Sequence, residues 1–100
     1  MLKIEAETTR DAIAFVKNNL DLLGVLKEVE HTRNLNEYIT TIKGQYHSMV
    51  IDGGLGSGYE GEGPRGLANV LLHLGVSKDK IQDQVYGNSG DKHQFKIKLS

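Results

Sequence analysis

Seven glycines fall within the fourteen residues from Gly53 to Gly66, in the run GGLGSGYEGEGPRG. Glycine is costly in the interior of helices and strands, so this stretch has to be a loop with a reason to exist. The reasons are few: a backbone at positive φ, or a close approach to a ligand or another segment. Tyr46 to Asp52, before the cluster, reads as a strand, and a helix is expected to begin at Pro64. A strand, a glycine loop and a helix N-terminus in that order form an arrangement that binds phosphates and other anions.

The remaining 86 positions are read by periodicity. Leu2, Ile4 and Ala6 alternate with charged residues, a strand with one wet face. Thr8 or Thr9 caps a helix carrying Ala12, Ile13, Val16, Leu20 and Leu23 on one stripe, with Gly24 past its end. Val25 to Arg33 and Tyr38 to Ile42 read as strands about an Asn34-Leu35-Asn36 turn, and Gly44-Gln45 turns the chain into Tyr46 to Ile51. Leu67 to Leu74 form a second helix, apolar almost all round and therefore expected to be buried on most sides. After Ser77 the pattern allows either a short helical turn over Lys78 to Gln82 or a strand over Gln82 to Tyr86. Phe95, Ile97 and Leu99 close the chain on a strand. The order β-α-β-β-β-loop-α-β predicts an α+β fold, a mostly antiparallel sheet with two helices on one face, in a single domain spanning 1–100.

Composition removes several functions. Twelve basic and 13 acidic residues leave a formal charge of −1, without the basic excess of a generic nucleic-acid binder. There is no cysteine, which fits a reducing cytosol and excludes thiolate chemistry. No apolar run approaches the roughly 20 residues needed to span a bilayer, and MLKIEAETTR has no apolar segment of the signal-peptide kind. We therefore expect a cytoplasmic protein without a membrane partner.

Gly56-Ser57-Gly58-Tyr59-Glu60-Gly61 matches G-x-G-x-x-G by spacing. A dinucleotide fold also needs a parallel βαβ unit and an acidic residue about 20 positions on, and the run before this loop sits in a hairpin instead. A Walker loop fails because no Gly-Lys-Ser/Thr follows. At the expected helix start, Gly63 takes the N-cap, Pro64 the first position and Arg65 the second. A cation there opposes the helix dipole by about 0.3–1 kcal/mol and calls for an anion. Glu60 and Glu62 are one source, a bound phosphate or carboxylate the other. Tyr59 either stacks on a ligand ring or plugs the loop onto the core. Ser57 either donates to a phosphate oxygen or caps the loop backbone.

His31, His47, His73 and His93 have no metal-ligand spacing, so no metal and no cofactor are expected. Ser57 lacks a nucleophile elbow, since Leu55 and Tyr59 stand where glycines would flank it. No base adjoins a nucleophile among Asp52, Glu60, Glu62 and Arg65, so no catalytic turnover is expected.

The run from Gly58 to Pro64, continuing through Leu67-Ala68 into Leu71-Leu72, resembles a G-Y-x-G-x-G-P-x-x-L-A pattern. That pattern belongs to small, mostly uncharacterised proteins of bacteria, phages and mobile elements. In size and in its anion-binding loop the chain is also similar to phage anti-defence proteins that sequester nucleotide immune signals. The resemblance implies a non-enzymatic sponge, in the host cytoplasm if phage-encoded. The expected function is thus a small homo-oligomeric binding protein that holds an anionic or nucleotide-like ligand through Ser57, Gly58, Tyr59, Gly61, Gly63 and Arg65. Left-handed φ is expected at Gly58 and Gly61. The alternative is an oligomeric interaction module in which the glycine loop is purely structural.

Overall fold

The structure is a computed structural model that describes residues 1–100. Its first strand, β1 (Leu2–Glu5), turns Leu2 and Ile4 inward and Lys3 and Glu5 to solvent. Helix α1 (Thr9–Asn19) starts at Thr8, whose hydroxyl accepts from the Asp11 N–H at 3.1 Å, and runs on as a tight turn over Leu20–Leu23. Strands β2 (Leu26–Asn34), β3 (Glu37–Gly44) and β4 (Ser48–Asp52) follow as a meander. After the glycine loop come α2 (Glu62–His73), the single-turn α3 (Lys78–Ile81) with a wide turn over Gln82–Tyr86, and β5 (Lys92–Lys98).

The five strands lie in the order β1-β4-β3-β2-β5. All pairs are antiparallel except β1 with β4, where Leu2 lies opposite Met49 and Glu5 opposite Asp52. This is the expected α+β architecture. Ser77 caps α3 by accepting from the Lys80 N–H at 3.3 Å, and Gln82–Tyr86 is helical, so that alternative closes against a strand.

One face of the sheet carries Val29, Ile42, Met49, Ile51, Phe95 and Ile97, packed under Ala12 and Val16 of α1 and Leu67, Val70 and Leu71 of α2. The other face is wet and charged. There Lys43 pairs with Glu28 at 3.4 Å and Lys96 with Glu30 at 3.6 Å. The lysines of β5 thus belong to a solvated surface.

Two expectations about α2 are corrected. The helix begins at Glu62, capped by Gly61, two residues before the Pro64 start. Pro64 is therefore its third residue. The first-turn N–H groups have no intrahelical acceptor, so a residue lacking one is tolerated anywhere in that turn. Nor is α2 buried on most sides. Pro64, Gly66, Leu67, Val70 and Leu71 are buried, but Asn69 and His73 face solvent and Leu72 is 48% exposed.

Candidate functional site

The glycine loop is built on a polar cluster that the covered face of the sheet carries among its apolar residues. Period-2 alternation along β2 places Val29, His31 and Arg33 on that face in succession. His31 Nδ1 lies 2.8 Å from Thr40 Oγ1 on β3, and His31 Nε2 lies 3.0 Å from Ser57 Oγ in the loop. The Arg33 guanidinium donates through one Nη to Ser57 Oγ at 3.0 Å and through the other to the Asn88 carbonyl at 3.0 Å. Its Nε has no partner.

Both ring nitrogens of His31 are thus engaged by hydroxyls, each able to donate or accept, while Ser57 Oγ also accepts from Arg33. The imidazole is held neutral: burial is the larger cause and the Arg33 charge the next, and together they lower its pKa to about 4. Nearby, His93 Nε2 meets Gln84 Oε1 at 3.1 Å. Its pKa is also lowered, first by burial and then by Arg33, with Asp83 opposing.

Arg33 is only 4% exposed, and no carboxylate pairs with it; the two ion pairs of the molecule involve other residues. Buried charges are ordinarily paired, because desolvation costs several kcal/mol. The cation is therefore held here by neutral acceptors alone. Gly58 makes the arrangement possible. Its φ is +86°, and a Cβ there would collide with Nη1 of Arg33. Its N–H ties the loop to the Val85 carbonyl at 2.8 Å.

Above this base the loop is open. The N–H groups of Gly54, Leu55 and Gly56 make no hydrogen bond to protein, nor do those of Gly61, Glu62 and Gly63 at the start of α2. A groove of about 340 Å³ runs along them, walled by Tyr38 and Tyr59 and by Thr8 and Thr9 at the start of α1, with Asn36, Glu7 and Glu62 at its margins. The starts of α1 and α2 thus line one groove, together with two carboxylates, Glu7 and Glu62, and no basic side chain. The Tyr59 ring lies on a glycine bed: a Cβ at Gly61 would come within 2.8 Å of the ring and one at Gly63 within 2.7 Å of its hydroxyl. Its centroid is 6.3 Å from that of Tyr38, and the residue is 47% exposed. The phenol pKa is raised, first by burial of its hydroxyl end and then by Tyr38.

The expected site residues divide into three groups. Tyr59 and Gly63 line the groove. Ser57 and Gly58 lie beneath it. Ser57 is 1% exposed and its hydroxyl bonds His31 and Arg33 rather than the loop backbone, so the reading of Ser57 as a cap of the loop backbone is corrected. Gly61 and Arg65 line a separate hollow of about 290 Å³ with Glu60, Gln82 and Tyr86. Arg65 is exposed, forms no ion pair with Glu60 or Glu62, and is the first residue of α2 whose N–H finds a helical acceptor, Gly61 O at 3.1 Å. The second-position reading of Arg65 is corrected accordingly. Of the glycines expected at left-handed φ, Gly58 adopts it, as do Gly53 and Gly54, whereas Gly61 at φ 170° is simply extended. His31, Arg33, Thr40 and Tyr38 were not anticipated. Their signal was present in the alternation of β2 and β3, which carries an arginine onto a covered face.

Ser57, His31 and Thr40 follow one another as nucleophile, base and orienter would. The chemistry is poorly served: Arg33 occupies the serine oxygen, the hydroxyl is sealed from solvent, and a base held near pKa 4 is weak at neutral pH. The cluster acts as a latch that fixes the loop. No group of His, Asp and Glu side chains is placed to hold a metal ion, and no helix is long and apolar enough to cross a membrane. No known protein family, curated protein or solved structure matches the chain.

Proposed function

We propose that the protein binds, without turning over, a phosphate-bearing nucleotide-like ligand in the groove along the glycine loop. The carrying observation is Arg33, a buried cation beneath the loop that has no acid to balance it. Its cross-strand neighbour Tyr38 is a wall of the groove. The free N–H groups of Gly54 to Gly56 receive phosphate oxygens. Tyr38 and Tyr59 offer ring faces for a base, and Glu7 or Glu62 accepts from ribose hydroxyls, the role acidic residues play in other nucleotide sites. The groove volume lies at the small end of the roughly 300–1,000 Å³ of ligand pockets, the size of a mononucleotide. A protein that holds such a ligand without consuming it acts by sequestration or by sensing.

A thermal-shift series with phosphate, AMP, ADP and diadenosine diphosphate tests this. Ligand at about 100 times its dissociation constant stabilises the fold by about 2.7 kcal/mol. Arg33→Met is expected to weaken ADP at least about tenfold, and to cost about 1–3 kcal/mol for each acceptor, Ser57 Oγ and the Asn88 carbonyl, that loses its donor. A blank across the series, or ADP affinity unchanged in Arg33→Met, overturns the proposal.

A further inference from the structure

The two edges of the sheet are finished differently. The β1 edge has four residues, whereas β5 has seven, each paired with β2 on one side and with no strand on the other. The register of β5 against β2 is unbroken from Lys92 to Lys98, and the strand holds no proline, so neither a bulge nor a missing donor blunts it. Just beyond its ends, the Leu99 N–H bonds the Lys27 carbonyl and the Asp91 carbonyl accepts from the Leu35 N–H. Alternation between these two points turns the backbone N–H and C=O of Lys92, Gln94, Lys96 and Lys98 outward, and no loop, turn or cap bonds them.

The same four residues carry exposed side chains on the wet face. Lys92 and Lys98 have no acidic partner, and Lys96 reaches Glu30 at 3.6 Å. On the covered side, a hollow of about 330 Å³ is lined by Leu74, Val76, Ile97 and Leu99, and by Lys80, which is exposed and unpaired. No residue of β2 lines it, so it lies to the free side of β5.

We propose that the β5 edge takes an extended segment of another protein as a sixth, antiparallel strand, acidic on one face and apolar on the other. Such a strand exchanges backbone bonds with Lys92, Gln94, Lys96 and Lys98, and its residues opposite the lysines are aspartate or glutamate. Its intervening residues turn to the covered side, where one enters the hollow and the others lie along the edge. A second copy of this chain does not fit. Two β5 strands paired antiparallel through their outward groups set lysine against lysine in any register that uses three or more of those four positions, which is destabilising. The lysines thus repel a second β5 and attract an acidic strand, so one feature both rejects and selects.

A fluorescein-labelled heptapeptide alternating glutamate with valine tests this by fluorescence anisotropy at pH 7.5. Its glutamate amides face β5 and its valine amides face away. N-methylation of the valines is expected to leave binding unchanged, and N-methylation of the glutamates to weaken it at least about tenfold, through lost hydrogen bonds alone. This pair of peptides needs no change to the protein. The double variant Lys92→Glu, Lys98→Glu, at two exposed positions, should also weaken the peptide at least about tenfold, with the unfolding midpoint reporting that it is folded. No binding of the alternating peptide, equal binding of its two N-methylated forms, or full affinity in the double variant overturns the proposal. Equal binding of a peptide with serine in place of valine also overturns it, because the apolar face then plays no part. Light scattering that finds a dimer which the peptide splits gives the edge to a second copy and overturns it as well.

Discussion

His31 is the residue at which the latch is most easily tested. A folded-state pKa near 4 against about 6.5 in the unfolded chain means that the unfolded chain binds more protons between those values. Stability is therefore full above about pH 6.5 and falls as pH drops toward 4. Between pH 7.5 and pH 5 this one group should remove about 2 kcal/mol. Urea unfolding at the two pH values measures it, and His31→Gln should lose that increment of the pH dependence. A wild-type slope equal to that of the variant would show that the imidazole is not held neutral. Gly58 gives a second measure of the same latch. Gly58→Ala puts a methyl group into the Arg33 guanidinium at a left-handed φ, so both strain and collision act. It is expected to cost at least about 2 kcal/mol in urea unfolding, the sum of about 1–2 for the backbone and more for overpacking.

Among the elements, the contact of α1 with α2 positions the groove. Gly66 lets the helices approach so closely that a Cβ there would collide with Thr9 Cγ2, and Thr9 hydrogen-bonds the Gly54 carbonyl at 2.6 Å. Gly66→Ala should cost about 1–3 kcal/mol by overpacking and weaken ADP as well, because Thr9 is displaced from the groove. Gly75→Ala is the control. It has a left-handed φ of +91° but open space around it, so it should cost about 1–2 kcal/mol and leave ADP affinity alone. Equal effects of the two on ADP would detach the helix contact from the site. The same elements show what periodicity conveys. Strands such as β1 and β5, and the Thr8 cap of α1, follow from local chemistry and could be read directly. The start of α2 could not, because Pro64 is permitted at any first-turn position and Gly61, without a side chain to cap, announces nothing. The solvent face of α2 was missed because Leu72 breaks the apolar count without marking a side. The site was half legible: the loop and Tyr59 declared themselves by glycine density, whereas Arg33 and Ser57 meet only through the pairing of β2 with β3 and the fold of the loop over both, which local sequence does not encode.

For the molecule as a whole, the near balance of 12 basic against 13 acidic side chains means that no long-range field draws an anion in. If a buried charge carries the attraction, ADP affinity should change by less than about threefold between 50 and 500 mM NaCl, since buried charges are screened little. A steep fall would assign the attraction to the exposed Arg65 or Arg10. The pairing of β1 with β4 has a consequence for assembly. Leu2 meets Met49, and the Ala6 N–H reaches the Asp52 carbonyl at 2.8 Å, so the two rims of the groove are joined by one of the most distant pairings in the chain. Closing so long a span is slow to find and costs entropy before any contact rewards it. The hairpins can form while the groove does not yet exist, and a fluctuation that frees the four residues of β1 opens the groove while leaving most of the sheet intact. If the groove takes ADP as proposed, the nucleotide should slow hydrogen exchange at Ala6 far more than at Ile42.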